Sequence, residues 1–389
     1  MAVKTSQSPA AVVVEVAWVN GLAAIRSLGR HGVRVMAVDH RPYALGFKSR
    51  YATRVPAPDP AADEDGFIRA VLGLGARLDA PAPLFPTHDE HLNALARHES
   101  DLAGSFVLSS PGWEALQRIQ LKRHQIDQAV ACGVPVPETR HPGSAAEAAA
   151  AGRELGYPVF VKPSDPLEFK RVYRRQGFRC DSPADLEGAY AAMEGHQPMV
   201  QEFIPGGDDG LYTLGSYLSR DLRPLGLFCG RKLRQTGEHM GTCRVGESVW
   251  VDAVVDDGLR LLRQLGCYGV SQVEFKLDPR DGVHKLIEVN PRLWQWHGLS
   301  GACGVDITHI AYLDLCGLDP PPTRMTREGR RWSITFMSGS RSEFQRPPYT
   351  DGVFALDDPR PALAHVGRLV RRPPSRPATG RMMELTKHG

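Results

Sequence analysis

Between Gly269 and Arg292 the chain reads GVSQVEFKLDPRDGVHKLIEVNPR, two alternating runs around Asp278-Pro279-Arg280-Asp281-Gly282. A period of two commits both runs to strands, and the Pro/Asp/Gly cluster between them makes a hairpin. The alternation also sorts the side chains. Gln272, Glu274, Lys276 and Asp278 fall on one face of the first strand, with Val273, Phe275 and Leu277 on the other. On the returning strand Glu288, Asn290 and Arg292 share a face, with Ile287 and Val289 opposite. Two carboxylates and an amide oxygen beside a cation suit a hard, oxygen-seeking ion such as Mg²⁺, which leaves coordination places for substrate phosphates. Arg292 can complement a developing negative charge there. A hairpin with one charged solvent face has the same pattern, so alternation alone leaves both readings open.

The first hundred residues follow another rule. Val12–Val16 is a short apolar run, Asn20-Gly21 marks a turn, Leu22–Arg30 has a helical pattern, and Val33–Val38 is a second apolar run ending at Asp39. Strand, turn, helix and strand within about 30 residues form a βαβ unit and imply a parallel sheet. Leu84–Phe85 and Phe106–Val107 read as further strands, with an amphipathic helix over Asp89–His98 between them. A helix is expected from Trp113 to Cys132, stopped by Gly133 and by Val134-Pro135-Val136-Pro137. Ala145–Leu155 is a helix closed by Gly156; Val159–Lys162 and Met199–Ile204 are strands around a helix near Ala184–Met193. Leu211–Leu218 and Leu225–Leu233 alternate as antiparallel strands do. Asp39 invites a dinucleotide-binding reading. The turn Glu15-Val16-Ala17-Trp18-Val19-Asn20-Gly21 lacks G-x-G-x-x-G, however, and Trp18 stands where backbone must approach a pyrophosphate, which excludes NAD and FAD.

Composition removes other classes. With 389 residues the chain can build roughly two or three domains. A net charge of +3 spread along the chain gives no case for nucleic acid, and the Arg-rich stretch Arg368–Arg381 reads as a solvated tail. Seven cysteines stand without a C-x-x-C pair, which argues against a disulfide framework or structural zinc and fits a reducing cytoplasm. Glu15 interrupts the first apolar run, so it reads as a buried strand rather than a signal peptide. No run approaches the 18 or so apolar residues of a membrane span.

Further polar residues stand at strand ends. Lys162 closes Val159-Phe160-Val161-Lys162-Pro163 and can reach a phosphate or snorkel to the surface. Gln201, Glu202, Phe203 and Ile204 end another strand, where backbone groups can read a purine edge, and Asp208 or Asp209 can accept ribose hydroxyls. Arg231, Lys232 and Arg234 make a cationic run, a solvated face or a clamp on transferring phosphate. Trp294, Trp296 and His297 can wall an acceptor pocket or simply pack; His239, Met240 and Thr242 lie in a turn near the cationic run.

Taken in order, Lys122 before Gly133–Pro137, Lys162-Pro163, Gln201–Gly206, Glu274-Phe275 and Glu288-Val289-Asn290-Pro291-Arg292 resemble the ATP-grasp superfamily, in particular its carboxylate–amine ligase branch of D-aspartate-ligase-like and carbamoyl-phosphate-synthase-like proteins. Ser49-Arg50-Tyr51, Phe85-Pro86-Thr87-His88-Asp89-Glu90 and Arg231–Gln235 match as well, and the likeness covers about residues 10 to 320. It implies an α/β chain with the ATP-grasp fold: an N-terminal βαβ domain (1–115), a small α+β lid with the adenine site (116–205), a larger α+β metal and substrate subdomain (206–325), and a C-terminal extension (326–389). It implies ATP and Mg²⁺ as cofactors. Lys122 and Lys162 would hold phosphates, Gln201 to Ile204 the adenine, Asp208 or Asp209 the ribose, and Glu274, Glu288 and Asn290 the metal. Lys232, Arg234 and Arg292 would hold the γ-phosphate and the acceptor carboxylate. The implied reaction forms an acyl phosphate and ADP from a small-molecule carboxylate, and an amine then displaces phosphate; a homodimer is compatible with it. The same site with a hydroxyl or bicarbonate acceptor, or a non-catalytic nucleotide-binding protein, are the rival readings. Two features depart from the pattern. The loop Ser164–Cys180 has one glycine, Gly177, where the family is rich in them, so Lys170, Arg171, Arg174 and Arg175 would supply side-chain charge. Leu121 stands where an aspartate is common.

Overall fold

The computed structural model describes residues 8–165, 169, 176–236, 241–335 and 348–371. Lys170, Arg171, Arg174, Arg175, His239, Met240 and the tail beyond residue 371 lie outside the described residues. Among the described residues no helix is long and apolar enough to cross a membrane.

Three sheets organise the chain. The first is parallel, with β1 (Ala11–Val14), β2 (Val35–Asp39), β3 (Ala52–Pro56), β4 (Ala82–Pro86) and β5 (Phe106–Leu108) in the order β3-β2-β1-β4-β5. Every residue of β1 is fully buried, as a central parallel strand covered on both faces must be. Asn20 and Gly21, expected in a turn, instead lie in the first turn of the helix Val19–Arg30. That helix starts so close to the end of β1 that a Cβ on Gly21 would stand 2.6 Å from Val16 Cα. The glycine is there for close approach rather than for a turn.

The second sheet is small, with β6 (Thr139–Arg140), β7 (Val159–Pro163), β8 (Phe178–Cys180) and β9 (Pro198–Glu202) in the order β6-β9-β7-β8. Helices Ala145–Leu155 and Pro183–Ala192 cover it, and Ala148, Val159, Val161, Leu186 and Val200 belong to a core of its own. The third sheet is the largest: β10 (Leu211–Leu218), β11 (Pro224–Gln235), β12 (Cys243–Ser248), β13 (Gly269–Leu277), β14 (His284–Asn290), β15 (Thr323–Arg324), β16 (Arg331–Ser333) and β17 (Tyr349–Asp351). Its order is β14-β13-β10-β11-β12-β16-β17, with β15 beside β11. One core runs from Val13, Ile25 and Leu28 of the first unit through Leu214, Phe228, Val273 and Trp294 of the third. The first and third sheets thus pack as one body, with the small sheet carried beside them.

The expected helix Trp113–Cys132 is two helices, Trp113–Gln120 and Lys122–Ala131. They break at Leu121, whose backbone is extended (φ −74°, ψ 116°). The Lys122 amide donates to the Ser164 carbonyl at 3.0 Å instead of continuing the first helix. A contact 42 positions away decides the break, so local periodicity could not show it. Residues after 325 also join the body: β16 and β17 extend the large sheet, and Asp358 accepts from Arg26 (3.0 Å) and Ser49 (2.8 Å).

Candidate active site

The hairpin expected from the sequence is formed by β13 and β14, with Glu274 opposite Glu288 and Gln272 opposite Asn290. Gln272 Nε2 donates to Glu274 Oε1 at 3.0 Å, and Asn290 Nδ2 donates to Glu288 Oε1 at 3.0 Å. Two lysines from outside the hairpin close on this pair. Lys232 Nζ lies 2.7 Å from Glu274 Oε1, and Lys122 Nζ lies 3.3 Å from Glu288 Oε2. Lys122 is aimed by its own helix. Gln125, one turn on, uses its side-chain amide like a strand edge: Nε2 donates to the Val289 carbonyl (3.0 Å) and Oε1 accepts the Val289 amide (2.9 Å).

Burial sets the charges apart. Desolvation works to raise the Glu288 carboxyl, but the Lys122 charge and the Asn290 hydrogen bond hold it well below the usual carboxylate range. Glu274 goes the other way: burial pushes it up, Lys232 only partly opposes this, and the neighbouring Glu288 charge adds to the rise. Lys232 remains above the usual lysine value because attraction to Glu274 outweighs its own desolvation. Lys162 is down at about 7, from burial first and repulsion by Lys122 second. This donor set fits a divalent cation with a polyphosphate. Two carboxylates that repel across one register position gain from a shared Mg²⁺, and an amine held at about 7 regains its proton beside phosphate.

Between the small and large sheets lies a cavity of about 110 Å³, lined by Lys122, Lys162, Gln201, Glu202, Phe203, Ile204, Asp208, Gln235 and Lys276 with the apolar Pro137, Phe160, Leu211 and Ile287. Apolar walls with a few convergent polar groups are what a flat heterocycle with a charged tail requires. The Glu202 carboxylate is bound elsewhere, to Lys285 (2.9 Å), Arg280 (2.5 Å) and the Glu138 amide (2.9 Å), so what it offers the cavity is main chain. Gln201 is fixed by a 2.8 Å bond to Thr139, and Phe203 stacks under Arg179 at 4.6 Å. Asp208 lines the cavity and accepts both the main-chain and side-chain N–H of Gln235 at 2.9 Å. Asp209 is exposed and does not line it. Lys276 donates to the Gly206 carbonyl at 3.1 Å and also to that of Gly207, pinning the loop after β9 to the β13–β14 hairpin.

The cationic run divides. Lys232 faces the carboxylates, whereas Arg231 points the other way and shares Glu247 with Arg331 (2.9 and 3.0 Å). β-Bulges flank Arg234 on both sides, so alternation does not carry it to the Lys232 face, and it does not line the cavity. Arg292 is held by a bidentate pair with Asp89, at 2.6 and 3.0 Å. Trp294 and Trp296, at 1% exposure each, are packing rather than an acceptor wall. They occupy troughs left by glycines: a Cβ on Gly215 would stand 2.0 Å from Trp294, and one on Gly246 2.7 Å from Trp296. His297 is buried with them, and Thr242 is exposed in the turn between β11 and β12.

Sequence reasoning gave no role to Asp89, Gln125, Gln235 or Gln272. A signal existed for Asp89, which opens the helix after the parallel strand β4, at the carboxyl edge where α/β sheets bind ligands. None existed for Gln125, an unremarkable helical glutamine.

Residues 250–313 match the family model of the carbamoyl-phosphate synthase L chain, ATP binding domain. The carbamoyl phosphate synthase large chain of Thermus thermophilus is 26% identical over 330 residues, covering 79% of this chain and 30% of that one. The D-aspartate ligase of Enterococcus faecium is 26% identical over 145 residues, 35% of this chain and 34% of that one. The chain thus spans about a third of the length of these curated relatives. Among solved structures, a biotin carboxylase complex from Campylobacter jejuni superposes with a TM-score of 0.65 at 17% identity, covering 81% of this chain and 72% of that one. The resemblance to the ATP-grasp superfamily read from the motifs holds, and the fold is the ATP-grasp fold.

Proposed function

We propose that this ATP-grasp chain is an ATP- and Mg²⁺-dependent, ADP-forming ligase that activates a carboxylate as an acyl phosphate and joins it to an amine, with amino acids as the substrate class. The observation that carries this is the cross-strand pair Glu274–Glu288, capped by Lys232 and Lys122 beside the cavity. Bound Mg²⁺ would supply charge neutralisation of the phosphates, with Glu274, Glu288 and Asn290 to hold it. The chain's own residues do the rest. Lys122 and Lys162 hold phosphate oxygens; the main chain of Gln201 to Ile204 faces the adenine and Asp208 the ribose side. Lys232 and Arg292 steady the transferring phosphate and the acceptor carboxylate, with Arg234 as a further cation. Positioning of this kind is the main protein contribution to phosphoryl transfer. The similarity to a D-aspartate ligase supports an amine as the nucleophile.

The test is ADP, AMP and hydroxamate formation with Mg·ATP, hydroxylamine and a panel of amino and other carboxylic acids, with and without bicarbonate. ADP with hydroxamate for one acid class, lost in Glu288→Gln, is the expected result. AMP as product would refute the acyl-phosphate route, and bicarbonate-dependent ADP without hydroxamate would replace the amine ligase by a carboxyphosphate enzyme.

A further inference from the structure

At the edge of the parallel sheet, His40, Asp59 and His91 converge from three separate stretches of chain. His40 directly follows β2, Asp59 lies beyond β3, and His91 is in the first turn of the helix Asp89–Arg97. None lines the cavity described above. One donor atom of each lies within 4.8 Å of the other two, and His40 Nε2 stands 3.5 Å from Asp59 Oδ2. Two donors on a tetrahedral Zn²⁺ with bonds of about 2.0–2.1 Å are roughly 3.3–3.4 Å apart. That pair is already at the spacing one ion would impose.

His91 also lacks a partner it should have: it is 3% exposed, and its Nδ1 is buried without a hydrogen bond. Buried polar atoms left unpaired cost free energy, so a group that satisfies them is expected. His40 Nδ1 faces Asp39 Oδ1 at 3.9 Å, and Asp39 is itself fixed by the amides of Val16 (2.7 Å) and Arg41 (2.8 Å). An imidazole that ligates through one nitrogen and turns the other to a carboxylate is the common support of metal-bound histidine. The His91 ring is held edge-on against Phe67 (5.5 Å) and His88 (6.3 Å). The nearby Arg41 cation is countered by Glu15, to which it is paired.

We propose that His40, Asp59 and His91 bind one divalent transition-metal ion of the Zn²⁺ class, with water completing a four-coordinate shell. Two imidazoles and one carboxylate select such an ion over Mg²⁺ or Ca²⁺. The ion would tie β2 and the segment after β3 to the start of the helix that carries Asp89, the residue that holds Arg292. Metal binding at this site does not depend on the ligase reading.

The experiment is titration of chelator-treated full-length protein with Co²⁺ and then Zn²⁺, followed by visible absorption, calorimetry and thermal melting. His40→Gln, Asp59→Asn and Glu288→Gln are compared with the wild type. His40 and Asp59 are partly exposed, so their variants are expected to fold. The expected result is one equivalent of Co²⁺ with a four-coordinate d–d band, displaced by Zn²⁺. Affinity should fall at least tenfold in His40→Gln and Asp59→Asn and stay unchanged in Glu288→Gln. No stoichiometric binding, unaltered binding in both site variants, or loss in Glu288→Gln would each overturn the proposal.

Discussion

Replacing Lys232 by methionine keeps most of the side-chain volume and removes the charge that faces Glu274. The wild-type pair is separated by 2.7 Å, with the lysine 7% and the glutamate 8% exposed at the side chain. Without Lys232, Glu274 retains the Gln272 amide at 3.0 Å and still faces Glu288 across the hairpin. Removing one partner of a buried pair costs about 3–5 kcal/mol, because the remaining charge is left uncompensated. The sign with pH follows. Burial already raises the Glu274 carboxyl above its ordinary 4.5, and loss of Lys232 raises it further. Below that value both folded and unfolded states are protonated, and the penalty is small. As pH rises, the unfolded state releases the proton while the buried group holds it, so the variant loses stability relative to wild type. Urea unfolding followed by the fluorescence of buried Trp294 and Trp296 should therefore show a deficit that grows from pH 4.5 to 8. The double variant Lys232→Met/Glu274→Gln should recover about 2 kcal/mol or more. A deficit below about 1 kcal/mol that is flat with pH would refute the claim that these groups form a buried pair whose charges compensate each other.

Other expectations follow from single contacts. Lys162 sits at about 7 because it is buried beside Lys122, so binding of Mg·ATP at pH 8 should take up close to one proton. Calorimetry in buffers of different ionisation enthalpy measures this, and Lys162→Met should abolish it; equal heats in all buffers would contradict the assignment. Leu121 begins the helix Lys122–Ala131 without a side-chain cap, so Leu121→Asp should stabilise by about 1 kcal/mol in urea unfolding. Gly215→Ala should destabilise by about 1–3 kcal/mol or more, since its Cβ would stand 2.0 Å from Trp294. Asp89→Asn should cost about 1.5–3 kcal/mol by removing the charged partner of Arg292, and should raise KM for the acceptor acid more than for ATP.

Much of the site was legible because strand periodicity is rigid. Once Gly269–Leu277 and His284–Asn290 are strands, alternation gathers Glu274 on one and Glu288 and Asn290 on the other, but a bulge between Glu274 and Phe275 shifts the pairing by one residue, so the turn alone does not set Glu274 opposite Glu288. The βαβ start was legible for the same reason, as fully apolar strands have few places to go other than a covered parallel sheet. Alternation failed where the strand itself is irregular. Lys232 still lies in the regular part of β11, but the two register shifts beyond it take Arg234 out of the alternation.

The sequence alone determined which residues could meet within one hairpin or one helix turn, since those distances are set by backbone geometry. Only the tertiary structure decided the contacts between elements. It broke the helix at Leu121 and bound Gln125 to Val289, which brought Lys122 to Glu288. It turned Trp294 and Trp296 into core by opening glycine troughs beneath them, and it tied Arg292 to Asp89, 203 positions away. It also fixed the charge states. A lysine held near 7 and two glutamates shifted in opposite directions arise from burial and from neighbours distant in the chain, and no local pattern encodes either.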